Sequence, residues 1–214
     1  PKTKIDKAFC MFEYFYFMNH QSEIDNRSLF EYRYALGIKL AQQDTLIYDK
    51  ENTLVIGSPN SGIAAGEGYA MAAGLEYSQA IVKYNDVGRT FILPTNEERT
   101  ELCNKAFHID PCINGRVLVV VDDTIVRGNT FKSLVGQLYN VGAKDIHVRI
   151  ASPEIINPCG MGIDIPTQTE LFTYKAQSEM EKRRYLNVST LQYLSLNHAK
   201  EVFGDQVCSK ICGC

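Results

Sequence analysis

The sequence predicts an α/β fold with a doubly wound, mostly parallel sheet and flanking helices. Short apolar segments that suit strands alternate with longer segments of helical periodicity, which is the pattern of a parallel sheet with crossover helices. The apolar run at residues 117–121 is uninterrupted, as in a strand buried on both faces in the middle of such a sheet. A chain of 214 residues, 45% of them hydrophobic, can build one large domain or two small ones.

The first half of the chain begins with an aromatic segment at residues 9–18, which predicts a strand or an extended segment. Ser28 is a good N-cap residue, and apolar residues at helical spacing predict a helix from there to about Gln43. Small residues at 59–62 form a turn that allows close approach of a ligand. The apolar runs and periodicity further predict a strand at 54–58, a helix at 63–73, a strand at 79–83 and a helix at 96–105.

The second half is organised around the central apolar run and the helical pattern that follows it at residues 131–141. Gly142 suits the C′ position that ends this helix. Before the run, residues 110–115 form a turn-rich connector. After it, the pattern predicts a parallel strand at 146–151, a strand at 191–194 and a Ser195-capped helix at 196–203.

Two adjacent carboxylates, Asp122 and Asp123, end the central apolar run. They are therefore expected at the carboxyl edge of the sheet, where open α/β sheets bind ligands. A turn of small polar residues and glycine then leads into a helix, and free backbone N–H groups at a helix N-terminus bind anions such as phosphate. Both halves fit one ligand, a sugar phosphate. The alternative is an acidic strand end followed by an ordinary helix cap.

The string VLVVVDDTIVRGNT at residues 117–130 resembles the phosphoribosyl-pyrophosphate (PRPP) motif of type I phosphoribosyltransferases. It is most similar to the VDDSIVRGTT form of glutamine PRPP amidotransferases, with Thr124 and Asn129 in place of Ser and Thr. The strings FCMFEYFYFM, KYNDVGRTFI and GIDIPTQTEL resemble further motifs of that family, so the resemblance covers about residues 9–203. It implies a type I phosphoribosyltransferase fold.

The resemblance also implies an activity, the conversion of PRPP and ammonia to 5-phosphoribosylamine and pyrophosphate in the first step of purine synthesis. Asp122 and Asp123 would bind the ribose hydroxyls, and Lys83, Arg89 and Lys105 the diphosphate. Mg²⁺ would be held by Ser61, Asp122 and Asp123. The loop that contacts pyrophosphate would be Pro59, Asn60, Ser61 and Gly62, and the loop for the 5′-phosphate Thr124, Ile125, Val126, Arg127, Gly128, Asn129 and Thr130.

Three positions depart from the family pattern and support a second hypothesis. Asn60 stands where an acid is usual, Gly62 where a Ser or Thr-like group is common, and Asp86 where the family has a tyrosine in the loop that closes over PRPP. An acid facing a leaving diphosphate is unfavourable. A non-catalytic PRPP or nucleotide sensor with the same fold is therefore the alternative to an enzyme.

Seven cysteines are an odd number for a disulfide framework, and three of them lie close together in the tail QVCSKICGC. Grouped thiols in an intracellular type of chain favour metal or iron–sulfur binding. The resemblance implies a [4Fe–4S] cluster on Cys10, Cys159, Cys208 and Cys212, with Cys214 as a substitute. Zinc in the same thiolates or cysteines without metal are the alternatives, and an iron–sulfur structural module is a third functional hypothesis.

Composition and resemblance together set further expectations. A net charge of −3 gives no footprint for nucleic acid or a membrane surface, and no apolar run reaches the ~18 residues of a membrane span. We expect a cytoplasmic protein with one domain at 1–214, its core at about 24–175 and its segments 1–23 and 176–214 packed together. By analogy it forms homo-oligomers and binds purine nucleotides. An N-terminal glutaminase domain is expected to be absent, and the chain alone is not expected to hydrolyse glutamine. Either that domain was removed, or a separate domain or subunit supplies ammonia, or free ammonia is used.

Overall fold

The computed structural model describes residues 9–19, 21–83, 107–159, 167–204 and 207–208. The helix expected at 96–105 lies outside these residues. The strands are β1 (Phe9–Cys10), β2 (Glu23–Ile24), β3 (Arg27–Ser28), β4 (Thr53–Gly57), β5 (Glu76–Ser78), β6 (Ile81–Lys83), β7 (Phe107–Ile109), β8 (Val117–Asp122), β9 (Asp145–Ile150), β10 (Thr190–Tyr193) and β11 (Val207–Cys208). The α-helices are α1 (Leu29–Gln43), α2 (Ile63–Ala73), α3 (Asn129–Val141), α4 (Phe172–Lys175), α5 (Glu179–Leu186) and α6 (Leu196–Phe203).

A five-stranded parallel sheet with the order β10–β9–β8–β4–β5 forms the centre of the fold. The middle strand is β8, in which Val121 lies opposite Gly57 of β4 and Asp122 opposite Ile150 of β9. Its residues 118–121 are completely buried, because neighbouring strands and helices cover all of their sides. The α/β fold with a parallel sheet and flanking helices is thus confirmed.

The side chains of β8 alternate between two apolar layers. Leu118 and Val120 pack with the helix α3, and Val119 and Val121 pack with α1 and α2. Helices therefore cover both faces of the sheet, and this explains why the central strand has no polar residue before its carboxyl end.

The helices α1 and α2 touch through glycines. A Cβ atom on Gly37 of α1 would lie 2.0 Å from the carbonyl oxygen of Ala65, and one on Gly68 of α2 would lie 2.0 Å from that of Tyr34. Since the obstacle is backbone in both cases, only glycine permits this spacing. The pair holds the start of α2, and hence the loop before it, against the sheet.

Capping groups fix helix ends where the sequence predicts them. The Ser28 Oγ accepts a hydrogen bond from the Glu31 N–H (3.2 Å), while the Glu31 carboxylate accepts one from the Ser28 N–H (2.9 Å). Ser195 caps α6 in a similar way through the His198 N–H. Gly142 ends α3 in the left-handed region, with φ of 105°. The helix α3 begins at Asn129, two residues earlier than predicted, because Gly128 turns the chain there.

The expectation of a strand or extended segment at residues 9–18 is wrong. Only Phe9–Cys10 is a strand, and Glu13–Phe17 forms one π-helical turn. Its shape depends on a distant residue, because the buried Arg33 of α1 donates hydrogen bonds to the carbonyl oxygens of Tyr14 (2.9 Å) and Met18 (2.8 Å). The aromatic composition indicated burial correctly but did not indicate the conformation.

The single strand predicted at 79–83 is also wrong in its boundaries. The chain forms β5 at Glu76–Ser78 in the main sheet and then β6 at Ile81–Lys83, which pairs with β7 in an antiparallel ladder. Only Ile81 of β6 is buried, whereas Val82 and Lys83 are exposed. This small second ladder leads Lys83 away from the main sheet.

The two ends of the described chain meet beside the main sheet. The strands β1 and β11 pair in parallel, with Cys10 opposite Cys208. The ring of Phe203 lies 4.7 Å from that of Tyr14 and 5.2 Å from that of Phe15. The division into a core at about 24–175 and two packed end segments stays a prediction. In the described part of the chain, every helix is too short or too polar to cross a lipid bilayer.

The glycine contact between α1 and α2 predicts that a Gly→Ala substitution in α1 lowers stability, whereas the same substitution in α3 raises it. Gly37→Ala gains at most about 1 kcal/mol of helix propensity, but its methyl group must push two backbones apart, and overpacking usually costs about 1–3 kcal/mol. We expect a net loss of stability. Gly136→Ala in α3 meets nothing within 4 Å and should gain up to about 1 kcal/mol. Urea midpoints, compared at equal m-value, measure the stability change of both variants. Equal stability changes in the two variants would contradict the close contact at Gly37.

Candidate functional site

A cleft of about 820 Å³ opens at the carboxyl ends of β4 and β8, the edge at which the sequence places the candidate residues. Four segments form it: the loop after β4, the loop after β8 with the start of α3, the aromatic turn at residues 12–17 and the β6–β7 ladder. The lining residues include Ser58, Pro59, Asn60, Ser61, Lys83, Asp122, Asp123, Thr124, Ile125, Val126, Arg127, Gly128, Asn129 and Thr130. Most of the predicted site residues are thus brought together.

The two carboxylates differ in their surroundings. Asp123 is only 5% exposed, and its oxygens accept hydrogen bonds from the Ser61 Oγ (2.8 Å) and the Thr124 Oγ1 (3.2 Å). Asp122 is partly buried, and one of its oxygens accepts the Asp123 N–H at 2.9 Å. Burial first, and then the negative charge of Asp123, raise the pKa of Asp122 well above its ordinary value. Together the pair presents oxygens that can accept hydrogen bonds from vicinal hydroxyls.

The loop after β4 brings Ser61 to the carboxylates but leaves Gly62 behind the cleft. The N–H of Gly62 donates to the Ser58 carbonyl oxygen at 2.9 Å, so it is not available to a ligand. A Cβ atom at Gly62 would lie 2.6 Å from the carbonyl oxygen of Val121. The glycine at this position is therefore required by its approach to β8, and the structure does not bring it into the cleft. Asn60 is exposed and lines the cleft.

The loop after β8 has the geometry of an anion site. The carbonyl oxygens of Val126 and Arg127 accept hydrogen bonds from the Phe172 N–H (2.7 Å) and the Lys175 Nζ (3.2 Å). Because C=O and N–H point in opposite directions across a trans peptide, the following N–H groups face the other way. Within the described part of the chain, no side chain caps α3 at Gly128, whose φ is 80°. Its first N–H groups are therefore suited to an oxyanion.

The side chain of Arg127 pairs with an acid behind this loop. Its Nε and Nη2 lie 2.9 and 2.8 Å from the Glu170 carboxylate, and this contact, with a hydrogen bond from Thr167, lowers the pKa of Glu170. Glu170 belongs to the string GIDIPTQTEL. The Glu170 contact therefore supports the loop on the side away from the cleft, together with the Phe172 and Lys175 contacts.

Lys83 is the one predicted diphosphate-binding cation among the described residues. It is exposed at the end of β6 and lines the cleft. Arg89 and Lys105, and also the departure at Asp86, lie outside the described residues.

An aromatic wall of the cleft was missed by sequence reasoning. Phe12, Tyr16 and Phe17 of the N-terminal turn line it together with Phe107 of β7. Burial, followed by the charges of Asp123 and Asp122, raises the pKa of Tyr16. The spacing of Phe12 and Tyr16, four residues apart, is a helical signal that could have indicated a shared face.

The aromatic turn that forms this wall is supported by Arg33. This arginine is 3% exposed; burial lowers its pKa, and attraction to Asp123 partly opposes that effect. The cation thus contributes to the positive potential near the acidic pair while its donors fix the backbone of the aromatic turn. Sequence reasoning gave it no role, because its partners are carbonyl oxygens and carry no sequence signal.

The structure brings three of the predicted cluster ligands into one region. Cys10 and Cys159 both pack against the small apolar cluster of Phe12, Ile155 and Leu171, and Cys10 is the strand partner of Cys208. Cys212 and Cys214 lie outside the described residues. Among the residues that are described, no group of three or more His, Cys, Asp or Glu side chains is arranged to hold a metal ion.

A parallel sheet that ends in an acidic pair beside a helix N-terminus is the architecture expected of a type I phosphoribosyltransferase fold. No family model matches the chain. It is 40% identical to the amidophosphoribosyltransferase of Pyrococcus horikoshii, over 88% of this chain and 41% of that protein. It is 38% identical to that of Methanothermobacter thermautotrophicus, over 95% of this chain and 42% of that protein.

Solved structures give the same result. The glutamine PRPP amidotransferase of B. subtilis, solved with ADP and GMP, matches with a TM-score of 0.82 and 35% identity, over 99% of this chain and 46% of that chain. The chain is therefore related to the amidophosphoribosyltransferases, which confirms the predicted resemblance and fold. It spans about two fifths of the length of the curated relatives it matches.

The raised pKa of Asp122 predicts a stabilising substitution at the site. A carboxyl group whose pKa is raised by folding stabilises the protein at low pH and loses that contribution as the pH rises through its folded-state pKa. Asp122→Asn keeps the acceptor for the Asp123 N–H and removes the repulsion. We expect it to be more stable than the parent above that pKa, with a gain that shrinks as the pH falls, as measured by urea midpoints at several pH values.

The matched control is Asp49→Asn on the surface. Hydrogen bonds from Asn52 and the Glu51 N–H lower the pKa of Asp49, so that this substitution should give no gain at any pH. A variant Asp122→Asn that is no more stable than the parent at pH 8 would contradict the electrostatic description of the pair.

Proposed function

We propose that this chain binds PRPP in the cleft and transfers its phosphoribosyl group to ammonia, which gives 5-phosphoribosylamine and pyrophosphate, the first step of purine synthesis. One observation carries the proposal: the acidic pair at the end of β8 and the N-terminus of α3 open into the same cleft. A ribose whose hydroxyls bind the first and whose 5′-phosphate binds the second satisfies both. The names of the relatives support it.

The roles of the residues follow from their positions. Asp122 and Asp123 would accept hydrogen bonds from the ribose hydroxyls. The N–H groups and hydroxyls of residues 124–130 would bind the 5′-phosphate. Lys83, with Arg89 and Lys105, would neutralise the diphosphate, and the loop at Pro59–Ser61 would contact it.

The reaction requires positioning and charge stabilisation and no side-chain nucleophile. The bond between C1 of the ribose and the pyrophosphate oxygen breaks, the nitrogen of ammonia forms a bond to C1 with inversion, and the resulting ammonium loses a proton to solvent. Positive charge develops on the ribose, so the carboxylates beside it stabilise the transition state. The aromatic wall of Phe12, Tyr16 and Phe17 would limit the access of water to C1.

The oxygen donors of the site fit magnesium. Ser61 and Asp123 are already linked through a hydrogen bond of 2.8 Å, and Asp122 is adjacent, so that hard oxygen ligands converge at the sheet edge as Mg²⁺ prefers. Bound there with PRPP, Mg²⁺ would withdraw charge from the leaving diphosphate. Its binding would also oppose the raised pKa of Asp122, because a cation favours the ionised carboxylate.

The cysteine region fits an iron–sulfur cluster. Cys10 and Cys159 share one apolar neighbourhood and Cys208 is the strand partner of Cys10, so a cluster held by them and by Cys212 or Cys214 would tie the two ends of the chain together. We include a [4Fe–4S] cluster in the proposal as a structural group. Zinc in the same thiolates is the alternative.

Further parts of the proposal concern partners. A separate glutaminase domain or subunit would supply ammonia, and purine nucleotides would bind, as ADP and GMP do in the B. subtilis protein. A homo-oligomer in the cytoplasm completes the proposal.

A non-catalytic PRPP or nucleotide sensor is the second candidate, since Asn60 lines the cleft at a position where the resemblance expects an acid.

Ammonia-dependent release of pyrophosphate tests the proposal. With PRPP, Mg²⁺ and ammonium chloride at alkaline pH, the chain should release pyrophosphate in proportion to free ammonia. Asp122→Asn and Asp123→Asn should each lower kcat/KM by about a hundredfold or more, or roughly 2.7 kcal/mol of transition-state stabilisation. Asp49→Asn should have the activity of the parent. PRPP binding in calorimetry without pyrophosphate release would support the sensor instead.

Iron content and absorbance test the cluster. Anaerobically purified protein should carry about four iron atoms per chain and a broad absorbance band near ~400 nm, as expected for thiolate ligation of such a cluster. Cys159→Ser should lose most of both, whereas Cys112→Ser, at an exposed position, should retain them. Protein that contains zinc and no iron would favour the alternative metal.

A further inference from the structure

Asn129 is the first residue of α3, lines the cleft, and departs from the motif that the loop resembles. Its side chain is exposed and has a hydrogen-bond partner outside the loop. The hydroxyl group of Tyr185 in α5 donates a hydrogen bond of 2.8 Å to the Asn129 Oδ1. The hydrogen-bond partner of this side chain in the cleft is thus a residue 56 positions further along the chain.

Tyr185 is itself held in place by the loop and its support. Its ring packs against Phe172 in a T-shaped contact with 5.5 Å between centroids, and the Lys132 ammonium lies 4.6 Å from the ring centroid. Phe172 in turn bonds the Val126 carbonyl oxygen through its N–H and lies directly beneath Gly128. Through Phe172, Tyr185 thus packs against the loop that leads into Asn129, whose side chain it contacts.

The orientation of a carboxamide beside an oxyanion decides the sign of their interaction. With its oxygen bonded to Tyr185, the Asn129 amide has its two N–H bonds left to donate to an anion. The opposite orientation would present the oxygen and repel a phosphate. A threonine hydroxyl can donate and accept by rotation alone, so the Thr of the motif needs no such partner.

We propose that Tyr185 is a positioning residue for the 5′-phosphate subsite, which it serves by holding Asn129 in the orientation that donates hydrogen bonds to phosphate. This inference rests on the proposed function, because it assumes that a phosphate binds at the N-terminus of α3. On this inference, Asn129 and Tyr185 together take the role of the single threonine in the motif, so the departure at residue 129 is compensated.

A double-mutant cycle in the full chain tests the inference, with ribose 5-phosphate as the probe in calorimetric titrations. Tyr185→Phe removes one oxygen atom and retains the ring contacts with Phe172 and Lys132. It should weaken binding about three- to tenfold, the loss expected for one hydrogen bond. In an Asn129→Thr background the same change should alter binding less than about twofold. Tyr174→Phe, at an exposed tyrosine, is the control and should bind as the parent does.

Activity gives an independent measurement. If the proposed reaction occurs, Tyr185→Phe should raise the KM for PRPP by a similar factor with kcat retained. A merely structural role of Tyr185 would instead lower stability and weaken binding equally with and without the Asn129→Thr substitution, and that result would overturn the inference, as would unchanged affinity in Tyr185→Phe. In either case binding of ribose 5-phosphate by the parent would leave the proposed function standing. A parent that fails to bind this probe would refute the proposed phosphate subsite and, with it, the inference.

Discussion

The crowding of negative charge at the end of the central strand is the constraint on which the site depends. Asp122 is the last residue of the buried strand β8 and Asp123 follows it directly, so the two carboxylates stay close together. The pKa of Asp122 is raised by burial and by its neighbour. The hydrogen bond from Ser61 to Asp123 partly compensates and ties the loop after β4 to the end of β8. The protein thus stores a repulsion that a cation or hydrogen-bond donors beside the pair would relieve.

The elements around this pair act as supports of different kinds. The glycine contact of α1 and α2 sets the position of the loop after β4, and Gly62 lets that loop lie against β8. The loop after β8 and the first residue of α3 are held from outside the cleft by contacts with Glu170, Phe172, Lys175 and Tyr185. Arg33 fixes the aromatic turn with two hydrogen bonds to carbonyl oxygens. Each support uses residues far apart in sequence, so changes remote from the cleft can alter its geometry.

Much of the architecture could be predicted because its causes are local. The alternation of apolar and helical segments, the Ser28 and Ser195 caps and the Gly142 helix end each depend on a few neighbouring residues. The predictions at 9–18 and 79–83 were wrong where shape depends on remote partners: Arg33 for the first, and pairing with β7 for the second. The aromatic wall was missed because burial and a role in the cleft produce the same composition in sequence.

The sequence by itself determined the parallel α/β sheet, the placement of two acids at its carboxyl edge, and the similarity to amidophosphoribosyltransferases, since these follow from hydrophobic pattern and a specific string of residues. Only the tertiary structure decided which residues meet there. It brought Ser61 to Asp123, Phe12 and Tyr16 to the cleft, Cys10 beside Cys208, and Tyr185 to Asn129. Such contacts join segments separated by tens of residues, and their distances depend on how helices and strands pack, which local sequence does not specify.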